Sequence, residues 1–122
     1  IAFAVRLEEE GSGDPKGLIH RAFHLAFGRH PDPVETERLE TYLHEMTEYH
    51  ATSKPAEPVY PEQITRSLVE EFSGETFEYE EILPAFENYK ADLKPAWVSA
   101  ETRALADLCL LLFNSNEFVY LY

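Results

Sequence analysis

The sequence predicts an all-α domain, a small bundle packed round one apolar helix near its carboxyl end, and three observations carry that expectation. Residues 104–113 are apolar except for Asp107, and a helix that is hydrophobic on every side has to be covered on every side. Two Asp-Pro pairs, Asp14-Pro15 and Asp32-Pro33, open stretches whose apolar residues recur at helical spacing. Only 75–81 alternates in the manner of a strand, with Phe77 and Tyr79 between glutamates. A lone strand has no obvious partner here, so that segment reads as irregular.

Ile1 to Leu7 reads as the end of a helix, dissolving through Glu8-Glu9-Glu10 into the flexible Gly11-Ser12-Gly13. Three glutamates in a last turn oppose the helix dipole, so fraying is expected there. Asp14 caps the next helix and Pro15 takes its first position, where a missing N–H costs nothing. Leu18, Ile19, Ala22, Phe23, Leu25, Ala26 and Phe27 form its apolar face, and Gly28 is placed to end it in a left-handed conformation. Asp32-Pro33-Val34-Glu35 is the clearest start signal, since Glu35 can reach back to complete a capping box. Leu39, Tyr42, Leu43, Met46 and either Tyr49 or His50 recur at helical spacing along this helix to about residue 50, making a helical hairpin of 15–28 and 33–50.

Three prolines between 52 and 61 mark a loop. Ile64, Leu68 and Phe72 then fall at i, i+4 and i+8 and predict a short helix over 61–72, closed by Ser73-Gly74. A further turn or two of helix is expected over 82–89, with Pro84 in its first turn. The connector 92–98 lays Trp97 on the core, and Ser99 caps the central helix of about 99–115.

Length and composition bound the function. With 122 residues the chain fits a single helical domain, large enough to bury roughly two-thirds of its unfolded surface. Ten Lys and Arg against 23 Asp and Glu give a formal charge of −13, which repels phosphate backbones and anionic membranes and argues against nucleic acid as a partner. The apolar helix is too short to span a bilayer, which takes about 20 apolar residues. Cys109 is the single cysteine, so these residues hold no internal disulfide, no Cys-based zinc site and no Cys-x-x-Cys-His haem attachment. Within so apolar a segment it packs as a small hydrophobe rather than a nucleophile.

Two stretches carry a resemblance. Leu18 through Glu35, with its Ala26-Phe27-Gly28-Arg29-His30-Pro31-Asp32-Pro33-Val34-Glu35, and Arg103-Ala104-Leu105-Ala106-Asp107-Leu108-Cys109 through Asn114-Ser115-Asn116-Glu117-Phe118-Val119-Tyr120 resemble the hairpin and the closing signature of a planctomycete-type secreted domain of unknown function. The segment from Tyr60 to Glu81 fits a common form of it, so the likeness covers nearly the whole chain. Phe113 and Leu121 depart from the expected Leu and Val, which alters packing rather than chemistry. The resemblance implies the C-terminal part of a large exported protein, often one that also carries a cytochrome-c-like domain. Haem is then expected elsewhere in the parent and no cofactor in this chain. The family has no accepted catalytic residues to carry over.

Candidate sites are few. His20 and His24 share a helical face at metal-ligand spacing, but Arg21 stands where a His-Glu-x-x-His motif needs Glu, so exposed or interface histidines are the expectation. The glutamates 70, 71, 75, 78, 80 and 81 lack an EF-hand pattern and read as a solvated acidic face. Asp107 cannot be buried bare and is expected to pair with Arg103, or with Arg66 or Arg21 across the core. Arg29 and Glu117 follow the first hairpin helix and the central helix, and a bidentate bond between them would tie the two ends together. Asn114 and Asn116 suit that junction, since Asn tolerates left-handed geometry. Trp97 and the tail with Phe118, Tyr120 and Tyr122 are the expected contact surface. No Ser-His-Asp set, phosphate-cradling loop or glycosidase-like acid pair is visible. The expectation is therefore a non-catalytic interaction module docking on other domains of its polypeptide or on a neighbouring subunit. The alternative is one wall of a composite site for complex polysaccharides, with His20, His24 or Asp107 contributing.

Overall fold

A computed structural model of the chain describes residues 1–11, 13–87 and 89–120, the side chains of 86 and 87 excepted. Expectations placed on Ser12, Leu121 and Tyr122 lie outside the described residues. The chain divides into two units, Ile1–Ala56 with Leu93–Tyr122, and Glu57–Asp92.

The first unit is helical: α1 (Ala2–Glu10), α2 (Pro15–Phe27), α3 (Pro33–Thr52), a 3-10 turn (Pro95–Trp97), α5 (Ala100–Phe113) and α6 (Asn116–Val119). Local chemistry sets the boundaries. The Asp14 carboxylate accepts from Gly17 N, and Gly28 ends α2 at φ 70°, a left-handed conformation open to glycine. Asp32 and Glu35 form a reciprocal capping box at the head of α3. Ser99 accepts from Thr102 N at the head of α5. The glutamates of α1 do not fray it: Glu8 accepts from the Thr102 hydroxyl at 2.9 Å, and Glu10 pairs with Arg6 and Arg21, each at 2.7 Å. Those contacts replace the solvent that the dipole argument assumed. Gly11 is fixed by close approach, since a Cβ there would stand 2.7 Å from Leu7 O and 2.9 Å from Leu18 Cδ2.

The core is the line Ala104, Leu105, Leu108, Cys109 and Leu112 of α5, met by Ala4 and Leu7 of α1, Ile19, Ala22 and Phe23 of α2 and Leu43 of α3. Leu7, Ile19, Leu105 and Leu108 are fully buried, worth about 1.5–3 kcal/mol each. Cover on all sides, however, is not what α5 receives. Leu110 is 59% and Leu111 48% exposed, so the helices pack on one broad face and leave the opposite side bare near its carboxyl end. Trp97 is likewise about half exposed rather than laid on the core.

The second unit corrects the all-α expectation. β1 (Gln63–Val69) pairs antiparallel with β2 (Thr76–Ile82), from Gln63↔Ile82 to Val69↔Thr76, so the protein is helix-dominated but mixed in class. Residues 61–72 are not a helix, because Ile64 and Leu68 satisfy i, i+2, i+4 as readily as i, i+4. β-branched Ile64, Thr65 and Val69 favour the extended form. β2 is the strand that lacked a partner in the sequence. The turn between them explains the pairing: the Glu70 carboxylate accepts from Phe72 N (3.2 Å) and Ser73 N (2.6 Å), Gly74 adopts φ 75°, and Glu70 N donates to Glu75 O at 2.8 Å. A short helix, α4 (Pro84–Glu87), follows β2.

Candidate functional site

The carboxyl end of α5 carries the densest polar construction in the helical unit. Gly28 turns the chain out of α2 and so aims Arg29 across the bundle. Its guanidinium donates from Nε and Nη2 to Glu117 at 2.6 and 2.8 Å, and from Nη1 and Nη2 to Glu35, both at 2.8 Å. A fifth bond runs from Nη1 to His30 O at 3.1 Å. The same cation lies over the Phe23 and Phe27 rings at 5.1 and 5.7 Å. One guanidinium thus joins the end of α2, the head of α3 and the short α6. Hydrogen bonds from Arg29, reinforced by its charge, hold the Glu35 carboxyl down at about 2 and lower that of Glu117, while the same bonds raise the guanidinium further.

The structure therefore brings Arg29 and Glu117 together and adds Glu35, which the sequence had shown only as a capping residue. Asn114 and Asn116 take a different part. Asn114 has φ −92°, and among the described residues no non-glycine is left-handed. The Asn114 amide instead donates to Leu110 O at 2.8 Å, and Asn116 begins α6 behind the cap Ser115. Beside the clamp, Phe23, Phe27, Leu39, Leu111 and Leu112 line a shallow apolar groove of about 220 Å³. The Phe118 ring packs on Phe113 at 4.9 Å, yet Phe118, Val119 and Tyr120 stay about half exposed.

Asp107 finds a partner other than the expected arginines. His50 Nε2 lies 2.7 Å from Asp107 Oδ2, and since a carboxylate only accepts, the imidazole donates. Arg103 serves backbone carbonyls instead, donating to Pro95 O (3.0 Å), Val98 O (2.6 Å) and His50 O (3.0 Å). It thereby fixes the connector and puts positive charge at the carboxyl end of α3. Burial and the Asp107 charge push the Tyr42 hydroxyl upward. Arg21 is engaged with Glu10, and Arg66 pairs with Glu81 in the hairpin.

His20 and His24 do share a face of α2, and His30 joins them, its ring 5.7 Å from His20 and 5.9 Å from His24. The His24 and His30 rings stack rather than converge on a point. Among the described residues no group of three or more His, Cys, Asp or Glu is arranged to hold a metal ion. A cleft of about 360 Å³ borders His20, with Lys16, Pro31, Pro33, Thr36, Glu37 and Glu40 along its walls. In the acidic cluster, hydrogen bonds from Ser73 lower the Glu70 carboxyl, whose work is the hairpin turn. Cys109 is buried, and desolvation pushes its thiol up to about 12. No described helix is long and apolar enough to cross a membrane.

Sequence reasoning missed His50, His30 and Glu35 as participants. Helical spacing allowed His50, or Tyr49, on the Tyr42–Met46 face of the third helix but gave it no partner. The pairing itself needed the packing of α3 on α5. Searches of protein families, curated proteins and solved structures found no match to this chain.

Proposed function

We propose that the chain is a non-catalytic interaction module, the C-terminal helix-dominated domain of a large exported protein of the planctomycete-type family it resembles. It docks on other domains of that polypeptide or on a neighbouring subunit. The observation that carries this reading is the bare apolar end of the helical unit, where Leu110 and Leu111 of α5 and Phe118, Val119 and Tyr120 stand about half exposed. Exposed apolar residues gathered at one place mark interfaces, and aromatic side chains are enriched at interface centres. Support also comes from the polar candidates. Asp107, Arg29 and Glu117 are each satisfied by internal partners, an arrangement of structural rather than reacting groups.

The test pairs a stability measurement with a binding one. The double variant Leu110→Ser, Leu111→Ser is expected to stay folded, losing less than about 1 kcal/mol, because both side chains are already half in water. It is expected to bind the separately produced remainder of the parent polypeptide at least tenfold more weakly than the unaltered chain. Equal binding by both forms, or none by the unaltered chain to that remainder or to itself, overturns the proposal.

A further inference from the structure

The β hairpin is built with two unlike faces. Its register puts Ile64, Arg66 and Leu68 opposite Glu81, Tyr79 and Phe77 on one face, and Gln63, Thr65, Ser67 and Val69 opposite Ile82, Glu80, Glu78 and Thr76 on the other. The Phe77 and Tyr79 rings lie 6.3 Å apart on the first face, and Leu68 and Phe77 are about half exposed. Phe72, at the tip of the turn, is 98% exposed. Among the described residues the sheet has two strands, so each keeps one edge without a neighbouring strand. Two strands alone are at best marginally stable in water.

Charge selects among possible occupants. The unit Glu57–Asp92 holds ten Asp and Glu against two Lys and Arg, eight of the chain's thirteen net negative charges. Among the described residues no hydrogen bond or ion pair reaches the Glu78 or Glu80 side chain, whereas Glu81 pairs with Arg66 and Glu70 makes the turn. A second hairpin added with its β2 edge against this one would set like charges side by side, which destabilises. An acidic or phosphate-bearing partner meets the same repulsion.

We infer that the outer edge of β2 accepts an extended segment of a partner protein in which Lys or Arg alternates with apolar residues. The alternation is dictated by the faces. Beside β2, every second side chain of an added strand falls next to Phe77 and Tyr79, and those between fall next to Glu78 and Glu80. Backbone pairing supplies affinity and the two rows supply selectivity. This surface is distinct from the end of α5, and its test leaves that reading untouched.

The experiment titrates the 122-residue chain, labelled with ¹⁵N, with a blocked Lys-Val-Lys-Val-Lys-Val-Lys peptide, and with a Lys-Pro-Lys-Pro-Lys-Pro-Lys peptide of equal charge that cannot complete a ladder. Amide shifts largest over 76–82 with the valine peptide, weakening as salt rises above ~100 mM, are the expected result. The variant Glu78→Lys, Glu80→Lys should bind that peptide at least about tenfold more weakly and prefer a Glu-Val alternating peptide, because two cross-strand attractions become repulsions. Equal binding of the proline peptide to the unaltered chain reduces the interaction to diffuse charge attraction and overturns the inference without using any variant. So does the absence of binding, or a response centred on β1 or on the helices.

Discussion

Replacing Arg29 by Gln should be the most damaging surface substitution in the helical unit. It removes four guanidinium–carboxylate hydrogen bonds of 2.6–2.8 Å and leaves Glu35 and Glu117 facing the same space without a counter-ion. Hydrogen bonds to charged groups contribute ~1.5–3 kcal/mol each where water is excluded. Here the partners are a third to a half exposed, and screening reduces each carboxylate pair to ~1 kcal/mol. The cation over Phe23 and Phe27 adds ~0.5 kcal/mol per ring. The expected loss is about 2–3 kcal/mol, a large part of the roughly 5–15 kcal/mol typical of a domain. Arg29→Lys keeps the charge but cannot serve two carboxylates in bidentate fashion, so it should lose about 1–2 kcal/mol. Glu117→Gln, which spares the Glu35 half, should lose about 0.5–1 kcal/mol. Urea unfolding followed by far-ultraviolet circular dichroism measures all three, and a cycle combining Arg29→Gln with Glu117→Gln should show coupling of about 1 kcal/mol. An Arg29→Gln variant within about 0.5 kcal/mol of the parent, the range of ordinary surface changes, would refute the clamp as a stabilising element.

Acid should act through the same clamp. Glu35 sits at about 2 in the folded chain against ~4.3 unfolded, so its contribution is complete above about pH 4.5 and is lost as pH falls towards 2. With that carboxylate a third exposed, the loss is discounted to ~1–2 kcal/mol, and Arg29→Gln should flatten it in a pH series of urea titrations. His50→Leu leaves the Asp107 carboxylate without its donor and should cost about 1–3 kcal/mol, with part recovered when Asp107→Leu is added; an additive double variant would show the pair is incidental. Cys109, buried with its thiol raised to about 12, should resist iodoacetamide in buffer and react in urea, and rapid alkylation of the folded chain would contradict its placement in the core.

The helical unit was legible because its signals are local. Asp14-Pro15, Asp32-Pro33 with Glu35, and Ser99 each specify a helix start through bonds within four residues. The hairpin was not, because Ile64, Leu68 and Phe72 fit a helical face while strand identity depends on a partner beginning at Thr76. Glu70 holds the deciding signal, but its carboxylate's grip on Phe72 N and Ser73 N is a property of the folded turn. Tertiary pairing was legible only where chemistry allowed few choices. Arg29 and Glu117 stand 88 residues apart yet both sit just past helix ends, and a bidentate clamp is what such a pair does well. Asp107 had three arginines to choose among, and the choice fell on His50 because α3 presents it at the right height on α5.

The distribution of charge gives the two units different work. In the helical unit the carboxylates that matter are consumed: Glu8 by Thr102, Glu10 by Arg6 and Arg21, Glu35 and Glu117 by Arg29, and Asp107 by His50. A group bound so fully is poorly placed to take a proton or a metal, and what this unit still offers a partner is the apolar end of α5 and α6. In the hairpin unit the balance runs the other way, with Glu78 and Glu80 unclaimed among the described residues beside an open strand edge. Unspent charge next to unpaired backbone is a recognition surface with a direction and a register. An added strand would also widen the hairpin's apolar face, supplying the third strand that a two-stranded sheet needs for independent stability. Docking and ordering would then be one event, so peptide binding should slow hydrogen exchange along β1 as well as β2.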